Sequence, residues 1–84
     1  MRSRKRIELG QYIVSDPEIC GGDLTFKGTR VLVKDVLFYV GKGKDWDWIS
    51  KAYDGRVSHA AIAEAVELAR EALVERREKQ RQAA

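Results

Sequence analysis

The stretch Leu24-Thr-Phe-Lys-Gly-Thr-Arg-Val-Leu-Val-Lys-Asp-Val-Leu-Phe-Tyr-Val-Gly41 decides the fold, because its hydrophobic period changes halfway along. Leu24-Thr-Phe26 alternates apolar and polar side chains, the pattern of a half-buried strand, and Lys27-Gly28-Thr29 turns the chain into Val31. From there Val33, Val36, Leu37 and Val40 recur at i, i+3, i+4 and i+7. That spacing predicts one face of a helix, with Gly41 able to end it as a left-handed cap and Gly43 making the stop firmer. Phe38 and Tyr39 fall roughly 150° and 110° from the centre of the stripe at about 100° per residue, so this helix is apolar almost all round. In a small domain, one of those sets of side chains is expected to face another chain.

Upstream, Tyr12-Ile13-Val14 reads as a second strand, ended by Asp16-Pro17, where proline fixes φ and the residue before it avoids the helical region. Gly21-Gly22-Asp23 is the next break. A short antiparallel β-hairpin region follows from these pieces, too short to stand alone. Arg30, at the junction of sheet and helix, has the planar fork to bind Asp16, Glu18 or a turn carbonyl and pin the loop.

Downstream, Asp45 suits an N-cap, accepting from the amide of Asp47 or Trp48, and Asp47 adds favourable charge at a helix N-terminus. The second helix runs through Tyr53. Trp46, Ile49 and Tyr53 share its inner stripe, while Trp48 points nearly the opposite way. Asp54-Gly55 is a turn, and Ser58 caps a third helix that begins at His59 and ends between Arg77 and Gln82. Its inner stripe is Ile62, Val66, Ala69 and Leu73, beside a line of Ala61, Ala65, Leu68 and Ala72 whose small side chains admit close helix approach. The last stretch, Glu75 onward, has no apolar face; a Glu75–Lys79 pair at i, i+4 is expected there. The fold class is therefore mostly α, a short N-terminal β-hairpin region followed by a three-helix, helix-turn-helix-like unit. Residues 1–11 form a basic arm, 12–74 a single domain and 75–84 a charged helical tail.

The chain has 84 residues, 44% hydrophobic and 35% charged, which excludes a multidomain enzyme, a disordered tail and a membrane span. A domain of this size buries only a little over roughly 60% of its unfolded surface, so a partner chain is a common source of the missing stability. One cysteine permits no internal disulfide, and one histidine permits no plausible multi-ligand zinc site. No apolar segment follows the basic N-terminus as a secretory signal requires, so the cytoplasm is the expected compartment. The net charge is +3, but its placement says more: four of the sixteen Lys and Arg residues fall in the first six positions.

Three helices after a small sheet suggest a helix-turn-helix with Asp54-Gly-Arg-Val-Ser58 as the turn. Ser58 and His59 would then begin the reading helix, with Lys51 and Arg56 meeting phosphate. Against this, the helix carries no Arg, Lys, Asn or Gln before Arg70, the side chains that make bidentate contacts to bases. The same three helices can equally pack without touching DNA. Arg2, Arg4, Lys5 and Arg6 are the stronger electrostatic candidates, as an arm that neutralises phosphates or as a solvated terminus. Phe38, Tyr39 and Trp48 are the candidate dimer interface. Cys20 has no acid-base partner, no carboxylate pair marks a pocket and no phosphate-loop spacing is present. No catalytic residue, metal ligand or cofactor is expected.

The run Ile13-Val-Ser-Asp-Pro-Glu-Ile-Cys-Gly-Gly-Asp-Leu-Thr-Phe-Lys-Gly-Thr-Arg-Val-Leu-Val33, followed by the three helical patterns, resembles the family of unknown function numbered 433. The resemblance covers about Tyr12 to Ala72. Asp16, Pro17, Gly22, Gly28, Thr29 and Arg30 match its motif and look like fold-defining positions. Members look like VapB-type antitoxins, so the resemblance implies a homodimer, operator DNA and a PIN-like ribonuclease toxin as partners. The family commonly has proline where this chain has Leu24, Leu32 and Asp54, so its turns are built differently here. The alternative expectation is a dimeric structural or protein-interaction module without DNA binding.

Overall fold

A computed structural model describes residues 5–83. A three-stranded antiparallel sheet in the order β1 (Ile7–Glu8), β2 (Ile13–Ser15), β3 (Leu24–Phe26) precedes α1 (Val33–Gly41), α2 (Trp46–Ala52) and α3 (His59–Ala83). The sheet is one strand larger than the expected hairpin. Ile7 and Glu8, within the expected arm, pair with Ser15 and Val14. The Lys27 ammonium reaches Glu8 at 3.1 Å and holds its carboxyl below the ordinary value.

Register explains the burial of the sheet. Ile13 pairs with Phe26 and Val14 with Thr25, so alternate residues face opposite ways. Ile13 and Phe26 join the core with Val33 and Val36 of α1, Ile49 of α2 and Ala61, Ile62 and Ala65 of α3. Val14 and Thr25 occupy the other face and are also buried.

Five of the six motif residues have a local reason. Asp16 accepts from the Glu18 amide through its side chain and from the Ile19 amide through its carbonyl, a turn in which Pro17 presets φ. Gly28 (φ 76) holds the position where a turn closed by Thr29 N–H on Phe26 O demands positive φ. The Thr29 hydroxyl donates to Phe26 O at 2.8 Å and accepts from Val31 N–H at 3.0 Å, carrying the chain into α1. Gly22 (φ 93) follows Cys20 and Gly21 in a left-handed turn, and its carbonyl accepts from the Ser15 hydroxyl at 2.6 Å.

Arg30 departs from expectation. Asp16 is taken by its own loop and by Arg6 at 3.9 Å, and Glu18 makes no ion pair among the described residues. Arg30 is exposed and leaves only its carbonyl, which accepts from the Cys20 thiol.

The helix ends are local chemistry. Gly41 does not take the left-handed cap; the helix runs through it, and Gly43 (φ 86) supplies the reversal. Gly43 N–H bonds Val40 O and Lys44 N–H bonds Tyr39 O, a Schellman motif. The same pair of bonds ends α2, from Asp54 to Lys51 and from Gly55 to Ser50, with Asp54 at φ 55. Proline cannot adopt that φ, so a proline turn at this position would have another geometry. Asp45 Oδ1 accepts from Trp48 N–H at 2.7 Å, and Ser58 Oγ from Ala61 N–H at 3.1 Å. Val57, just before that second cap, is fully buried with Ile62 five residues on, the spacing of a hydrophobic staple.

α3 has 25 residues, roughly 37 Å at 1.5 Å per residue, and its packing stops early. Beyond Ala69 every residue with described burial is exposed, and Leu73, expected on the inner stripe, is 67% exposed. Its tail pairs Glu78 with Arg81 at i, i+3; the expected Glu75–Lys79 pair is not formed among the described residues.

Sheet and α3 are joined by one carboxylate. Glu64 accepts from Gln11 N–H at 2.9 Å and Tyr12 N–H at 2.8 Å. Gly10 leaves room for it, since a Cβ there would lie 2.7 Å from the carboxylate. Glu64→Ala removes both bonds and leaves the half-buried Tyr12 amide without an acceptor, and is expected to destabilise the fold by about 1–2 kcal/mol, with Glu64→Gln retaining part of the loss. Urea unfolding reads both; an unchanged midpoint for Glu64→Ala would refute the clamp.

Candidate functional site

The described residues among those expected to touch DNA differ in exposure and in partners. Arg2 and Arg4 lie outside the described residues. Lys5 is exposed, whereas Arg6 is drawn to Glu8 at 3.5 Å and to Asp16. Ser58 spends its hydroxyl on the cap of α3. His59 Nε2 lies 2.8 Å from Asp47 Oδ1, and its ring meets Trp46 edge-on with centroids 6.1 Å apart. The side chains exposed on the following turns of α3 are Ala60, Ala63 and Glu67. Ser58 and His59 thus each have a partner within the chain, and the face that follows them carries no side chain able to make a bidentate contact to a base.

Arg56 and Arg30 are brought together instead. With Ile19, Gly28 and Thr29 they line an open hollow of about 410 Å³, and neither makes an ion pair among the described residues. Lys51 is exposed on α2. Sequence reasoning treated the two arginines separately, because the β3–α1 loop and the α2–α3 turn are far apart in the chain.

Phe38, Tyr39 and Trp48 do form one contiguous aromatic patch, with Tyr39 half-buried between two exposed rings. Their ring centroids are 5.5 Å apart from Phe38 to Tyr39 and 5.2 Å from Tyr39 to Trp48. Phe38 is 57% and Trp48 41% exposed. The angular arithmetic along the two helices was enough to find them.

A second apolar surface escaped that arithmetic. Leu9, Leu24, Leu37, Leu68, Ala69 and Ala72 surround a groove of about 180 Å³ floored by Ile13, Val33 and Ala65. Leu9 and Leu24 are left substantially open at it, and Leu73, one residue beyond the lining Ala72 on α3, is more exposed still. The groove lies where the sheet, α1 and the middle of α3 meet, and its apolar lining runs directly into the unpacked half of α3.

Among the described residues no helix is long and apolar enough to cross a membrane, and no cluster of metal-ligating side chains occurs. The profile of the family described as "Protein of unknown function (DUF433)" matches residues 13–69. The chain belongs to that family. The match takes in the Asp16-Pro17, Gly22 and Gly28-Thr29-Arg30 positions, all three helix starts and the groove-lining residues of α1 and α3 up to Ala69. No curated protein and no solved structure gives a match.

Proposed function

We propose that the chain is a small protein-interaction module that pairs with a second copy of itself through the groove and the unpacked half of α3. One observation carries this reading: the apolar stripe of α3 continues past the chain's own core, from Ala65 through Leu68, Ala69 and Ala72 to Leu73, alongside a groove of matching character. The groove and the surface that would cover it lie on the same chain, so two copies related by a two-fold axis cover both at once. Burying them supplies the apolar area that an 84-residue domain lacks alone. The aromatic patch, expected as the seam, carries two lysines over its rings and is the less apolar of the two surfaces.

An antitoxin-like role builds on the same arrangement, with the charged end of α3 as the segment offered to a PIN-like ribonuclease toxin. Its test is inhibition of a nuclease encoded in the adjacent reading frame. Stoichiometric inhibition supports the role, and an unaffected nuclease removes it.

DNA contact is a second reading, favoured by Arg30 and Arg56, which make no ion pair among the described residues, at one hollow with Lys51 on the neighbouring helix. Fluorescence anisotropy with a duplex from upstream of the chain's own reading frame is expected to show saturable binding at low salt. Arg30→Ala with Arg56→Ala should weaken it about tenfold and lower the salt slope by about two. Absence of saturable binding at low salt ends that reading.

A further inference from the structure

The aromatic patch borders a hollow that neither pairing nor DNA contact uses. It measures about 390 Å³ and is lined by Asp35, Phe38, Tyr39 and Tyr53. Asp35 stands three and four residues before Phe38 and Tyr39 on α1, so one helical face presents a carboxylate beside two rings. Tyr53 closes the hollow from the C-terminus of α2, where its amide is held by Ile49 O and Ser50 O. Burial, and after it the Asp35 carboxylate, push the Tyr53 phenol above its ordinary value, so the charge is felt at the phenol. The rings of this patch already attract cations: Lys42 Nζ sits 5.3 Å from the centroid of Phe38 and Lys44 Nζ 4.7 Å from that of Trp48. Asp35, by contrast, makes no ion pair with any Lys, Arg or His among the described residues.

We infer that the hollow formed by Asp35, Phe38, Tyr39 and Tyr53 binds an organic cation, the guanidinium or ammonium of a basic side chain on a partner protein. Ring faces carry negative quadrupole density and the carboxylate adds a full charge, so an anion is repelled while a flat or alkylated cation gains from both. A hard metal ion is a poor fit, because one carboxylate and phenols do not supply the six or more oxygen ligands it takes. The inference rests on the interaction-module reading for the source of the cation and not for the preference of the hollow, and the experiment separates the two.

The full chain, labelled with 15N, is titrated with N-acetylarginine methylamide, with its neutral citrulline counterpart and with tetramethylammonium. Saturable amide shifts centred on residues 35–39 and 53 are expected with the arginine compound, and none with citrulline. Asp35→Asn and Tyr39→Leu should each weaken binding by about fivefold or more, with spectra that remain dispersed as in the wild type. Equal shifts from citrulline, unchanged affinity in Asp35→Asn, or no saturation by either cation would overturn the site. Saturation by tetramethylammonium alone would uphold the cation preference and overturn the basic side chain as its source. Both cation results are independent of whether the chain pairs.

Discussion

Ile62→Ala is expected to lower stability by about 3 kcal/mol. Ile62 is fully buried in the first turns of α3, where it meets the cluster of Val36, Ile49 and Val57 that ties all three helices together. Truncation removes the transfer term and leaves a cavity that the cap at Ser58 and the staple at Val57 prevent from collapsing, and such changes cost about 2–5 kcal/mol. Stability for a chain of this length is on the order of 4–12 kcal/mol in total, so the loss is a large share of it. The check is a lower urea midpoint at unchanged m-value. A loss below about 1 kcal/mol would show that Ile62 is not central to the core.

Leu73→Glu is expected to do the reverse, sparing the single chain and dissolving the pair. Leu73 is 67% exposed, and glutamate is a good helix former, so in a lone chain the change is worth less than about 0.5 kcal/mol. Across a paired surface it places an uncompensated carboxylate against apolar side chains. A penalty of about 3 kcal/mol corresponds to roughly a hundredfold weaker dissociation constant. Circular dichroism should therefore be unchanged while the dimer dissociation constant rises. Loss of helicity in the variant would mean that Leu73 supports the fold itself.

The contrast between these two isoleucine and leucine positions shows what the amino-acid sequence discloses. Both sit on the apolar stripe of α3, and periodicity ranks them alike. Only the length of helix that the sheet, α1 and α2 can cover separates them, and that length depends on the tertiary arrangement. Local chemistry was legible: Asp45 and Ser58 cap as expected, and Asp54-Gly55 turns the chain, since these contacts span only a few residues. Phe38, Tyr39 and Trp48 were legible because angular position on a helix is arithmetic. Val57 was not, since a single apolar residue in a turn has no period. Nor was Glu64, although it stands beside the buried Ala61 and Ala65 at the margin of the apolar face, where a carboxylate can reach a neighbouring element. The Arg30–Arg56 and Asp35–Tyr53 meetings join distant segments and needed the fold. His59 also lies against Asp47 and Trp46, contacts that its place at a helix start does not show.

Sedimentation velocity of the wild-type chain across micromolar concentrations, alongside Leu73→Glu and Phe38→Glu, tests the pairing most directly. The expected result is a concentration-dependent dimer for the wild type and for Phe38→Glu, and a folded monomer for Leu73→Glu. A wild type that remains a folded monomer at the highest concentration would contradict pairing altogether, and a monomer for Phe38→Glu with an intact Leu73→Glu dimer would move the seam to the aromatic patch.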